Sequence, residues 1–277
     1  MSLGIVIKGP EGLVLAAESR VTIEAQTPQG QALHVNFDHA TKLLSFSAPN
    51  VGVGAVTYGL AAIGLRTAHS FLPEFEASLP SDERLSVRAF AQKLSSFFVQ
   101  QWQAVMPRNF NGPNMTFVVA GFDEGEPYGR VMTFDIPSNP DPFEQFSGVT
   151  DFGINWGGQR EFVDRLLQGF DNRLLDILSG TLHLQPDQLG ALTSSLQGLQ
   201  MPIPLAAMAL QDCVNLATFF IRTTITAQQL TVGIRGCGGS IDAAIITRRE
   251  GFRFIQHKQI SGEFGTEIPE RKSSCHL

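Results

Sequence analysis

Two apolar runs at the head of the chain, split by three turn-forming residues, constrain the fold more than any other feature. Gly4-Ile5-Val6-Ile7-Lys8-Gly9 reads as a strand that starts almost at the first residue. Pro10-Glu11-Gly12 is a turn signal, and Leu13-Val14-Leu15-Ala16-Ala17-Glu18-Ser19 reads as a second strand. The pair predicts an antiparallel hairpin. A polar loop spans 26–31, with Pro28 and Gly30, and two more strands are expected at 42–47 and 51–56 about the turn Ala48-Pro49-Asn50. About four strands and no helix therefore open the chain, without the alternating strand–helix rhythm of a parallel sheet.

Helical periodicity follows at 60–79, with apolar Ile63, Leu65, Ala68, Phe71, Leu72 and Phe75. Pro80 stops that helix and Ser81 is placed to cap a second at 83–106, where Val87, Phe90, Ala91, Leu94, Phe98 and Trp102 fit a period near 3.6. Strands return at 115–121 and 128–136, and Pro137 begins a rigid surface loop to 142. Helices are expected at 162–178 and 205–227, then strands at 241–247 and 252–257, then a polar, disordered tail over 262–277. The order predicts an α+β fold, two antiparallel sheets packed face to face with helices outside.

No stretch of linker composition divides the 277 residues, and 43% are apolar, enough for one large core or two small ones. Charged residues are only 17% and the net charge is -6, which gives no electrostatic reason to expect nucleic acid or an anionic membrane as partner. No run reaches about 18 uncharged apolar residues, and no basic-then-apolar leader is visible. Cys213, Cys237 and Cys275 are an odd number without CxxC spacing, and the six histidines lack an HExxH pattern. The expectation is a cytoplasmic, soluble protein that needs no metal or cofactor.

The chemistry starts at Ser2. Removal of Met1 would leave a free α-amine beside the Ser2 hydroxyl. With a pKa near 8, that amine is a base at neutral pH, so one residue would supply both nucleophile and base. Glu18, Ser19 and Arg20 end the second strand near the start of the first, and Lys42 opens the third. If that third strand lies beside the hairpin, the Lys42 ammonium approaches the Ser2 hydroxyl and lowers its pKa, with Glu18 holding the lysine. The alternative is an ordinary Met-Ser start and a solvated salt bridge among Glu18, Arg20 and Lys42. Cys237 has no histidine near it in sequence, so a small buried residue is the simpler reading; Trp102 and Trp156 read as core or interface anchors.

The run from Ser2 to Thr22 resembles the first hairpin of proteasome β subunits and their bacterial ring-forming relatives, which are N-terminal-nucleophile hydrolases. In that family an N-terminal threonine is followed sixteen positions on by an acid, then one residue, then Arg; Ser2, Glu18 and Arg20 match without a gap. Lys42-Leu43 is similar to the family's catalytic Lys-Leu or Lys-Ile pair. Val51 to Val56 is similar to the next segment, which makes Gly54 the candidate oxyanion donor, with a close-packing glycine as the alternative. Gly238-Gly239-Ser240-Ile241-Asp242 is similar to the strand that closes the family fold. The two matches bracket about 250 residues.

The resemblance implies a four-layer αββα sandwich over 1–261, with Ser2, Glu18, Lys42 and Gly54 catalytic and Arg20 and Val21 meeting substrate. It also implies polypeptide substrates, a homo-oligomeric ring joined through outer helices, and an ATP-dependent unfoldase as partner. Several family features depart: the nucleophile is serine rather than threonine, and only the initiator methionine, with no propeptide, would have to be removed. Cys237 stands where a supporting serine is usual, the supporting aspartate position falls near Ile234, and Trp156-Gly157-Gly158-Gln159 occupies a turn that normally supplies another serine. These departures keep two alternatives open, a catalytically silent assembly subunit and a small-molecule amidase of the same fold.

Overall fold

The structure, a computed structural model, describes residues 2–26, 32–233 and 235–260. In chain order the elements are β1 (Leu3–Lys8), β2 (Leu13–Glu18), β3 (Val21–Gln26), β4 (Ala32–Phe37), β5 (Leu43–Ser45), β6 (Val53–Gly59), α1 (Leu72–Ala77) and α2 (Val87–Val105). Then come β7 (Met115–Gly121), β8 (Arg130–Ile136), β9 (Asn139–Glu144), β10 (Gly153–Gly158), α3 (Glu161–Leu167), α4 (Arg173–Leu182), α5 (Pro186–Leu196), α6 (Leu210–Leu230), β11 (Ile241–Thr247) and β12 (Gly251–Gln256). The tail at 262–277, position 234 and most of the 26–31 loop lie outside the described residues.

One antiparallel sheet runs β10-β1-β2-β11-β12 and another β5-β6-β7-β8-β9, with β3 and β4 as a separate two-stranded hairpin. Strand period 2 explains how they stack. From β1, Leu3, Ile5 and Ile7 face α3 and α6, where they meet Val163, Ala217 and Phe220. From the opposite faces of β1 and β2, Val6, Leu13 and Leu15 meet Val56, Val118 and Ala120 of the second sheet. The outer face of that second sheet, with Ala55, Phe117 and Phe134, packs on Phe75, Phe90, Leu94 and Phe98 of α1 and α2. Three cores separate four layers, so the expected αββα sandwich is the fold found.

Several element boundaries differ, each for a local reason. Residues 60–67 are not helical; Gly64 has a positive φ of +59° and Ile63 bridges Arg66, so only a short 3-10 turn at Ala68–Phe71 and α1 remain. The cap of α2 is Ser86, whose side chain accepts from Ala89 N at 3.2 Å, rather than Ser81. The segment read as a proline-rich loop is β9, a sheet edge, where a missing N–H is tolerated. The helix expected at 162–178 breaks at Gly169, and Asp171 restarts the chain by accepting from Arg173 N at 3.0 Å. Strands β3 and β4 alternate apolar Val21, Ile23 and Ala25 and apolar Leu33, Val35 and Phe37 with polar residues. They flank the expected 26–31 loop, and with strand β10 and helix α5 they lie beyond the expected set. No described helix is long and apolar enough to cross a membrane.

Candidate active site

The site is assembled around Glu18, which is 1% exposed at the end of β2 and opposite Ile241 of β11. One carboxylate oxygen accepts from Leu3 N at 3.2 Å and from the Lys42 ammonium. The other accepts from Arg20 N at 2.7 Å and Gly238 N at 3.1 Å. Four donors around one buried carboxylate compensate the loss of its hydration, and hydrogen bonds to a charged group contribute about 1.5–3 kcal/mol each. The solvated-salt-bridge reading of Glu18 and Lys42 is therefore wrong for this pair: both are buried.

Lys42, 5% exposed, also donates to the Arg20 carbonyl. Burial lowers its pKa below the ordinary lysine value, against the opposing pull of Glu18. Ser2, 4% exposed, and Lys42 line one small cavity together with Val21, Thr57 and Tyr58. Its volume is about 20 Å³, room for about one water. Thr57 Oγ1 is buried in that wall and has no hydrogen-bond partner among the described residues.

The Gly238-Gly239 turn clamps this end. Ser19 N donates to Gly238 O at 3.1 Å, Ser19 Oγ to Ser240 O at 2.8 Å, and Ala40 N to Ser19 O at 2.9 Å. Gly239 has φ +73°, and a Cβ there would lie 2.3 Å from Asp38 O, so only glycine fits. This is the physical content of the glycine pair in the sequence motif.

Not every expected residue joins Ser2. Arg20 does not reach toward substrate: its guanidinium grips Asp38 at 2.6 and 2.7 Å and donates to Arg235 O at 3.1 Å. It holds the 38–42 segment on which Lys42 sits. Val21 does line the cavity. Gly54 lies near the start of β6, opposite Ser45 and Ala120, where a Cβ would stand 2.4 Å from the Phe252 ring; its setting is that of a close-packing glycine. The cavity is lined instead by the far end of β6, through Thr57, Tyr58 and Leu60. Gly59, between the last two, has φ +88°.

Sequence reasoning missed a pair of glutamines. Gln159 N donates to Ser2 O at 2.6 Å, Gln228 Nε2 donates to Gln159 Oε1 at 3.0 Å, and Cys237 N donates to Gln228 Oε1 at 2.9 Å. They occupy the region where the supporting serines were sought; a lone Gln in α6 gives no sequence signal of this. Cys237 is 1% exposed, and burial followed by the nearby Glu18 charge pushes its thiol pKa well up, so it stays protonated. Among the described residues, no three His, Cys, Asp or Glu side chains are arranged to hold a metal ion.

Two face-to-face antiparallel sheets, helices on both outer faces and a polar cluster at the start of the first strand define the proteasome-like class of fold. Among solved structures the chain is similar to a mutant of Anbu from Hyphomicrobium sp. strain MC1, with TM-score 0.56 and 13% identity over 95% of this chain and 88% of that one. It is likewise similar to Anbu from the same strain, with TM-score 0.52 and 15% identity over 94% and 88%. At such identities the likeness establishes the fold, and the chemistry rests on the residues themselves. No family model and no curated protein matches the sequence.

Proposed function

We propose that the protein is an N-terminal-nucleophile peptidase that hydrolyses peptide bonds of unfolded proteins or peptides, with Ser2 as nucleophile after removal of Met1. One observation carries this reading: a buried Glu18–Lys42 pair borders the cavity that Ser2 lines. Ser2 Oγ attacks the scissile carbonyl, and its proton passes to the freed α-amine, directly or through a water. The C–N bond then breaks, the leaving amine takes that proton, and water hydrolyses the Ser2 ester. Lys42 favours the alkoxide electrostatically and Glu18 fixes its direction. The oxyanion donor is assigned to the Gly59 end of β6 in place of Gly54, a contribution of roughly 3 kcal/mol. Val21 keeps its place as a substrate contact, and Arg20 becomes a positioning residue.

Assembly into a ring through outer helices, and supply of unfolded chains by an ATP-dependent unfoldase, belong to the same proposal. A second reading, the silent assembly subunit, is favoured by the supporting groups that are missing, with buried Cys237 standing where a serine is usual. Mass spectrometry of the mature N-terminus separates the two, because a retained Met1 leaves no free amine on Ser2. For the peptidase, Ser2→Ala abolishes peptide hydrolysis and leaves assembly intact; unchanged turnover overturns the assignment. Labelling by an epoxyketone or β-lactone, mapped to the first mature residue, tests nucleophile and activity together.

A further inference from the structure

A second and larger cavity, of about 560 Å³, lies between the edge strand β5 and the end of the edge strand β12. Thr41 lines both this cavity and the one beside Ser2. Three histidines from separate parts of the chain meet in it: His39 ahead of β5, His69 on the 3-10 turn at Ala68–Phe71, and His257 after β12. Thr41, Ser45, Lys258 and Gln259 are its other polar lining residues, and no carboxylate is among its described lining residues.

The cationic side of the cavity is built rather than incidental. Asp242, 2% exposed on β11, accepts from Lys258 N at 2.9 Å and from the Lys258 ammonium. His257 Nδ1 stands 3.3 Å from Asp242 Oδ1, and the His257 ring packs on Phe254 with centroids 4.1 Å apart. A register shift between Ala243 and Ala244 in the β11–β12 pairing lies just ahead of this corner. Burial, then the charges of Lys258 and His257, lowers the His69 pKa, so the groups are within electrostatic reach. The other charges facing this corner are bound elsewhere: Asp38 to Arg20, Asp242 to Lys258, and Lys42 to Glu18.

Lys258 and His257 both stand against Asp242, whereas the wall around His39 and His69 holds no carboxylate among its described residues, so acidification adds uncompensated positive charge there. We propose that this cavity binds acidic side chains of a polypeptide, most tightly when its histidines are protonated. An extended chain suits it better than a small anion. The edges of β5 and β12 offer unpaired backbone groups, Leu43 and Phe254 give apolar wall, and Thr41 borders both this space and the Ser2 cavity. The identification of that polypeptide as substrate rests on the peptidase reading; the binding itself does not.

The test uses the full chain carrying Ser2→Ala, and an extended peptide with three Glu residues beside its Gln counterpart. Binding is measured by fluorescence anisotropy at pH 6 and pH 8. One histidine whose pKa rises by a unit on binding gives about a tenfold tighter complex at the lower pH. The Glu peptide is expected to show at least that change and the Gln peptide none. His39→Gln with His69→Gln should erase the difference while near-UV circular dichroism stays unchanged; if the pair does not fold, His39→Gln alone should reduce it. Equal binding of the two peptides, or a pH effect that survives the substitutions, overturns the proposal. So does inorganic sulfate that displaces the Glu peptide at concentrations comparable to the peptide's own, which would mean a free-anion site. Retained binding with no hydrolysis by the unsubstituted chain would remove the peptidase reading alone.

Discussion

The Ser2 end of the sandwich and the α4–α5 segment treat polarity in opposite ways. Around Glu18, segments 18–20, 38–42 and 237–240 are tied by a buried carboxylate with four donors and by the Arg20–Asp38 fork. In α4 and α5 no residue is buried at all. Ile177 and Leu182 stay 61% and 60% exposed, and residues 177–208 hold a single charged residue, Asp187. Depletion of charge beside exposed apolar side chains is the composition of an interface core. The contrast teaches that the chain builds its polar cluster from its own segments but leaves apolar side chains of α4 exposed, the observation that supports including assembly in the proposed function.

Breaking the polar cluster should have the largest effect. Glu18→Ala strips Lys42 of its buried counter-ion and leaves four donors unmatched, a loss of about 3–5 kcal/mol. Thermal unfolding should fall by roughly 10 °C, with hydrolysis lost as well. A melting point within about two degrees of the parent would mean that water reaches this pair freely. Gly239→Ala should cost about 1–3 kcal/mol, because φ is +73° and the Asp38 carbonyl is in the way. Gly54→Ala and Gly59→Ala make a matched pair. Both are destabilising by about 1–3 kcal/mol, but only the second should lower kcat, by about a hundredfold; the reverse pattern would return the oxyanion role to Gly54.

The outer helices should behave in the opposite sense. Ile177→Glu with Leu182→Glu touches no buried group, so monomer stability should stay within about 0.5 kcal/mol per site. Sedimentation velocity should nevertheless shift to smaller species, and an unchanged oligomer would show that α4 faces solvent in the assembly. pH separates the two regions as well. Burial holds the folded Lys42 pKa below its ordinary 10.5. The unfolded chain therefore keeps that proton to higher pH, so between the two values stability rises with pH. Hydrolysis should fall over the same window, as the cation beside Ser2 is lost, and Lys42→Arg should move the fall to higher pH. Loss of activity and loss of stability running together would contradict this linkage.

The same contrast explains what was legible in the sequence. The strands of the first hairpin and of β7, β11 and β12 are fully or largely apolar and bounded by turn residues, and the structure keeps them within a residue or two. Ser2 and Glu18 could be aligned because the register of the first hairpin fixes their spacing, whereas Lys42 and the glycine pair were placed by their local motifs. Gly54 misled because a glycine that admits Phe252 from the facing sheet looks, in sequence, like one that offers its N–H. Asp38, Gln159 and Gln228 were invisible because each works through a partner distant in the chain. Likewise α6 starts at Leu210 because Glu11, from the first hairpin turn, accepts its N–H at 2.7 Å, a cap that no local pattern records.

The smallest change sharpens the comparison most, since it alters one atom of the otherwise satisfied cluster. Thr57 Oγ1 is buried without a described partner in the wall of the Ser2 cavity. Thr57→Val preserves shape and removes that hydroxyl, so stability should change by less than about 1 kcal/mol, in the stabilising direction if nothing bonds to it. If a water held between Thr57 and Ser2 carries the proton to the α-amine, the same change should lower kcat severalfold and alter the solvent isotope effect while KM stays constant. A faster or unchanged enzyme would leave the amine taking the proton directly, and would make Thr57 only the end wall of a narrow pocket.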